Sequence, residues 1–204
     1  MSLSDPIVDP LLSPQNAALL IIDFQPAQLR SVASIPQRRL LKNVTTVARA
    51  AKLFDLPVFL ATLNARRRDR AATLRQITDI VPRAEQFDRS NLNAWEDDGF
   101  VDAVAATGRR KLVFAALWTE TALTFAVLSA IQQGFEAYPV VDAVGGTSRS
   151  AHDAAIGRIA EAGANSTSCV QLVSELQRDW GRSRTSGQAR EMLYALGARG
   201  SQPL

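Results

Sequence analysis

The chain has 204 residues, 47% of them hydrophobic, so the expectation is one domain over 1–204 around one sizeable core, with an N-terminal arm (1–15) and a polar C-terminal tail (181–204). Its 23 basic and 20 acidic residues are mixed along the chain and leave a net charge of only +3, which argues against a dedicated nucleic-acid binder. The single cysteine, Cys169, excludes an intramolecular disulfide and fits a reducing, cytoplasmic setting. The opening "MSLSDPIVDPLLSPQ" lacks the basic and apolar regions of a signal peptide, and no apolar run approaches the roughly 20 residues needed to cross a bilayer.

In chain order, "AALLIID" (17–23) is an unbroken apolar run ending in an acid, the pattern of a strand buried on both faces. "PQRRLLKNVTTVARAAKLFD" (36–55) spaces Leu40, Val44, Val47, Ala51 and Phe54 along one helical face. "LPVFLATL" (56–63) reads as the second strand and "EQFD" (85–88) as a short third. "NAWEDDGFVDAVAATG" (93–108) predicts a helix closed by Gly108. "KLVFAAL" (111–117) predicts a strand running directly into the helix "TETALTFAVLSAIQQG" (119–134), followed by the strand "FEAYPVVDA" (135–143). Ser150 and Asp153 suggest a capping box opening a helix at 151–163. "NSTSCVQ" then reads as a last strand, "LVSELQRDW" as a helix, and the tail as polar with one short helix near Glu191 to Leu196. Alternating strands and helices predict an α/β fold of three layers, with a mostly parallel sheet between helices.

In such sheets, ligands bind beyond the carboxyl ends of the strands. The residues there are Asp23, Asn64, Arg89 and the turn "ALWTETALTF" (116–125). There is no glycine-rich dinucleotide loop, no phosphate loop, no G-x-S-x-G elbow and no cluster of metal ligands, so no cofactor and no metal are expected. The only histidine, His152, falls in the first turn of a helix, where a solvent-facing role is the expectation. Asp23, at the end of an apolar strand, suits a partly desolvated base. If Thr119 caps its helix, position 122 lies in the first turn, where free N–H groups and the helix dipole would activate a thiol. The residue there is Ala122.

"LLIIDFQ", "RSNLNAWEDDGFVDAVAATGRRKL", "WTETALTFAVLSAIQQGFEAYPVVDA", "SAHDAAIGRIAEAGA" and "ELQRDW" occur in order across nearly the whole chain before its tail. On these stretches the chain resembles the isochorismatase-like cysteine hydrolases, in particular their YcaC-like branch. The resemblance implies the isochorismatase-like hydrolase fold and a catalytic triad of Asp23, Arg89 and a cysteine at the position held by Ala122. It also implies a non-proline cis peptide at Leu117–Trp118, with the N–H groups of Trp118 and residue 122 as the oxyanion hole. Further implications are a small amide-type substrate, hydrolysis of a C–N bond through a covalent intermediate, and a homo-oligomer, often an octamer. Phe24, Asn64, Asn93, Trp95 and Trp118 are candidate pocket residues.

Ala122 cannot attack a carbonyl, so this chain is expected to be silent as a cysteine hydrolase. Either the position carries an inactivating Cys-to-Ala change, or the chain is a natural non-catalytic oligomeric binding protein using the same pocket. Cys169 is expected on a late strand, buried and inert. "RRRDR" (66–70) is a charge run without interleaved aromatics, so it reads as a solvated or rim loop rather than a nucleic-acid site.

Overall fold

The computed structural model describes residues 8–66 and 71–198. Five strands, β1 (Ala17–Ile22), β2 (Val58–Leu63), β3 (Glu85–Arg89), β4 (Lys111–Ala116) and β5 (Glu136–Pro139), form one sheet in the order β3-β2-β1-β4-β5. Every pairing is parallel, so all five carboxyl ends lie along one edge. β1 and β4 are buried along their whole length, as their continuous apolar runs require. β3 is an edge strand with Glu85 and Gln86 exposed, a polar edge that discourages further pairing.

The helices are α1 (Pro26–Arg30), α2 (Gln37–Leu53), α3 (Arg75–Thr78), α4 (Asp98–Ala106), α5 (Thr124–Gln132), α6 (Arg149–Glu161), α7 (Cys169–Gln177) and α8 (Ser183–Ala195). Alternation along β1 divides the interior. Leu19 and Ile21 pack with Leu40 and Val44 of α2, Leu172 and Val173 of α7, and Met192 and Leu193 of α8. Leu20 and Ile22 pack on the other face with Phe100 of α4, Ala126 and Val127 of α5, and Ile159 of α6. This is the three-layer architecture expected from the alternating strands and helices.

Several local expectations are corrected. The segment read as one helix over 93–108 is a short 3-10 turn (Ala94–Glu96) followed by α4, because Asp97 accepts from Phe100 N and restarts the chain as a helix. The strand expected over 135–143 ends at Pro139, leaving an isolated bridge between Val140 and Thr167. "NSTSCVQ" is not a strand: Ser168 accepts from Gln171 N and opens α7 at Cys169. The cap of α6 is Ser148, which accepts from Ala151 N, whereas Asp153 pairs with Arg149 at 2.9 Å. The tail contains α8, thirteen residues long, with Thr185, Ala189, Met192 and Leu193 buried against the core. The described part of the N-terminal arm, from residue 8, is also fastened, with Asp9 paired to Arg178 at 2.5 Å and Leu12 N–H donated to Glu175.

Candidate active site

Three segments converge at the carboxyl edge. In register, Ile22 of β1 stands beside Ala61 of β2 and Ala116 of β4. Asp23 and Leu117 therefore leave the sheet side by side, and Leu117 N–H is donated to Ile22 O at 3.0 Å. Asp23 takes a left-handed backbone (φ 58) and so does Asn64 at the end of β2 (φ 55), a region that Asp and Asn tolerate better than most residues. Asn64 N–H is donated to Arg89 O at 2.7 Å, which fixes the end of β3.

Arg89 reaches over β2 to Asp23 through two parallel hydrogen bonds, Nη1 to Oδ1 at 2.8 Å and Nη2 to Oδ2 at 2.9 Å. Nη2 also donates to Leu92 O at 3.2 Å, and both side chains are almost wholly enclosed. Burial raises the Asp23 carboxyl above the usual carboxylate value, while the Arg89 guanidinium opposes that rise by hydrogen bonding and charge. Each carboxylate oxygen retains a second lone pair for another partner.

On the other side of Asp23, Leu117–Trp118 is a non-proline cis peptide bond. A single wide turn of π-helix (Thr119–Leu123) follows and leads into α5, with Trp118 as its N-cap. This corrects the expectation that Thr119 caps an ordinary α-helix, and it puts Ala122 at the fourth helical position rather than the third. The wide turn is held from within and without. Thr124 Oγ1 donates to Thr119 O at 2.7 Å, and Thr119 N–H is donated to Gly145 O at 3.0 Å. The Ala122 methyl is buried in the second core layer, close in sequence to Leu123 and Ala126 of the same cluster.

The isochorismatase domain model matches residues 17–171. The chain belongs to the isochorismatase family. It is similar to the probable hydrolase YcaC of Escherichia coli, at 33% identity over 170 residues, covering 83% of this chain and 81% of that protein. Among solved structures, YcaC from Pseudomonas aeruginosa, with hexane-2,5-diol and covalent acrylamide, superposes with a TM-score of 0.82 at 29% identity, covering 92% of this chain and 98% of its own. The Escherichia coli YcaC structure, described as an octameric hydrolase of unknown specificity, gives a TM-score of 0.82 at 30% identity, covering 93% and 98% of the two chains. The MAR1 ribonuclease of Caenorhabditis elegans shares the fold at a TM-score of 0.84 but only 15% identity, with 95% and 98% of the chains covered.

Within this isochorismatase fold, the candidate site residues separate into two groups. Asp23, Arg89, Leu117, Trp118 and Ala122 share the carboxyl edge. Trp118 is half-buried, and its Nε1 donates to Ser31 Oγ at 2.8 Å and to Gln28 O at 3.2 Å, tying the turn to α1. Asn64 is tied to the end of β3 by its backbone N–H. Phe24 is fully enclosed in the first core layer, and Trp95 packs among Phe100, Phe114 and Phe135 with its Nε1 donated to Gln133. Asn93 accepts from Trp95 N and donates to Ser129 Oγ, so its side chain is spent on capping and packing. Phe24, Trp95 and Asn93 are thus packed into the framework around the carboxyl edge.

Cys169 begins α7 rather than lying on a strand. It is fully buried, and burial pushes its thiol far above the ordinary value, with Asp142 adding to the rise. His152 is not solvent-facing: it is half-buried, with Nδ1 2.9 Å from Thr119 Oγ1. Of the Arg66–Arg70 run, Arg66 is exposed, with its N–H held by Asp88, and residues 67–70 lie outside the described residues. Sequence reasoning missed two supports of the site. Gln25 is fully enclosed and bonds Leu63 in both directions and Ala71 O, while Asp88 accepts from Ala65 N, Arg66 N and Thr62 Oγ1. A glutamine inside "DFQP" is the only trace of the first. Grooves of about 800 and 630 Å³ open between α2 and α8 and at the amino edge near Pro57 and Glu85, and neither is lined by Asp23, Arg89 or Ala122.

Proposed function

We propose that the carboxyl edge is a hydrolase site of Asp–Arg–Cys design for a small amide-type molecule, with Ala122 at the nucleophile position. This chain then binds its ligand there without turning it over through a thioester. The observation that carries the reading is the buried, bidentate Asp23–Arg89 pair beside the turn that presents position 122. A buried ion pair costs desolvation and is weak evidence for stability alone, and perturbed carboxyls cluster at functional sites.

With a thiol at 122, Asp23 would take its proton, and the thiolate would attack the carbonyl carbon of the amide. The N–H groups of Trp118 and residue 122 would hold the oxyanion, and Asp23 would return the proton to the departing amine and then activate water. Arg89 would keep Asp23 ionised for the first step. The enclosed setting would favour this transfer over one in open water. The chain would work as a homo-oligomer in the cytoplasm, the octamer described for the Escherichia coli relative being the assembly to test by light scattering.

One observation favours the reading of a natural, non-catalytic binding protein. Ala122 is only 2% exposed and packs as a member of the apolar core, so the methyl fits its surroundings. The deciding experiment is to make Ala122→Cys and follow labelling by a mild thiol electrophile against pH, with Asp23→Asn in the same background. Fast labelling at neutral pH that depends on Asp23 supports the hydrolase design. Labelling no faster than a free thiol of pKa about 8.5 moves the reading to the binding protein.

A further inference from the structure

The turn carrying Ala122 is braced by a polar network outside the Asp23–Arg89 pair. Thr119 is wholly enclosed, and each of its polar atoms is engaged: N–H with Gly145 O, carbonyl with Thr124 Oγ1, and hydroxyl with His152 Nδ1 at 2.9 Å. Glu120, the next residue, accepts through Oε1 from Thr147 N at 3.0 Å and Thr147 Oγ1 at 2.6 Å. Its Oε2 is buried with no partner among the described residues. Gly146 lies between these groups, and a Cβ there would come within 2.6 Å of Glu120 Oε2 and 3.2 Å of His152 Cβ. The segment 145–148 and the start of α6 thus form one unit with the turn.

We propose that His152 is a positioning residue and proton switch for the site. As the neutral Nε2–H tautomer it accepts the Thr119 hydroxyl and fixes the turn at Ala122, and when protonated it releases that hydroxyl and engages Glu120. This rests on the carboxyl edge being the functional site. The argument is one of donor and acceptor supply. Neutral imidazole offers one acceptor nitrogen, whereas imidazolium offers only donors. A protonated His152 would force the enclosed Thr119 hydroxyl to reverse, leaving its own proton in need of an acceptor that its engaged neighbours do not supply. The acceptor assigned to the charged state is Glu120 Oε2, which is buried and has no partner among the described residues.

Burial favours the neutral ring and holds His152 below its ordinary value. The charged groups facing it are Asp153 and Arg149 on its own helix and Glu120 on the turn, the acids opposing that shift and the arginine adding to it. Protonation of the ring therefore requires more acid than an ordinary histidine does.

Because His152 is the only histidine, imidazole ¹⁵N shifts of the unaltered chain report it directly. The expected result is the Nε2–H tautomer at neutral pH and movement of the Thr119–Leu123 and Thr147 amide signals as the ring protonates. A neutral Nδ1–H tautomer, or turn amides that stay still through the titration, would overturn the proposal. In the Ala122→Cys background, His152→Gln retains an acceptor but cannot titrate. It is expected to keep the neutral-pH labelling rate and lose only the part of the acid limb that coincides with the His152 titration seen in the ¹⁵N shifts, while His152→Ala slows labelling about tenfold, the scale of one buried hydrogen bond. Equal profiles for parent and His152→Gln would overturn it. An unactivated thiol at 122, together with the expected tautomer and amide shifts, would defeat the hydrolase reading and support the positioning role.

Discussion

Arg89 ends β3 and Asp23 follows β1, strands that are not neighbours in the sheet, and the two meet over the end of β2 through bonds of 2.8 and 2.9 Å. The pair therefore closes the carboxyl edge across three strands, and its loss is felt by the fold as well as by the site.

Removing one partner leaves the other charged and enclosed, a situation that costs about 3–5 kcal/mol. Arg89→Met is expected to destabilise by that order, measured as the shift in urea midpoint. Asp23→Asn with Arg89→Met should cost clearly less than the two single changes added together. Additive single costs would mean that the pair is not coupled.

Asp88 gives a signed dependence on acid. Burial pushes its carboxyl up, but the amides of Ala65 and Arg66 and the Thr62 hydroxyl outweigh that and hold it below the ordinary value. A lowered folded value means stability that is present above the unfolded value of about 3.9 and is lost as pH falls through the folded one. The stability gap between the parent and Asp88→Asn should therefore be full near neutrality and shrink on acidification below about pH 4. A gap that grows toward acid would contradict the assignment.

Two glycines beside the turn should respond oppositely to a third. A Cβ at Gly145 would lie 2.7 Å from Val32 Cγ1 and 3.0 Å from Leu40 Cδ2, so Gly145→Ala overpacks and is expected to cost about 1–3 kcal/mol. Gly146→Ala, against Glu120 and His152, belongs with it. Gly157 in α6 has nothing within 4 Å, and Gly157→Ala should stabilise by about 0.5–1 kcal/mol. Thermal melting of the three variants checks the signs.

Cys169 is expected to stay silent toward thiol reagents in the folded chain and to react fully once unfolded. The reason is its complete burial and raised thiol. Fast native-state labelling would contradict its place in the α7 interior. It would also remove the clean background that labelling at position 122 requires.

Much of the fold is legible because the central strands are buried on both faces and advertise themselves as unbroken apolar runs: "AALLII" and "KLVFAA" become β1 and β4. The acid and arginine of the site stand at strand ends for the same reason. What escaped was set by hydrogen bonds that local pattern does not rank. Ser168 captured Gln171 N and turned an expected strand into α7, and Ser148 rather than Ser150 took the cap of α6. The aromatics Phe24 and Trp95 are near the site in sequence and inside the core in space, a distinction that periodicity alone cannot draw. α8 leaves little trace in the sequence because its thirteen residues bury only four side chains on a mostly polar helix.

The family match stops at residue 171, inside the first turn of α7. Yet Leu172, Val173 and Leu176 of α7, with Ala189, Met192 and Leu193 of α8, complete the layer over α2. The recognisable segment and the foldable segment thus have different lengths. A chain cut where the match ends would keep Asp23, Arg89 and Ala122 while leaving α2 to cover one face of the sheet without α7 and α8. Such a fragment would carry every residue of the candidate site on a sheet whose apolar residues on that face had lost part of their cover.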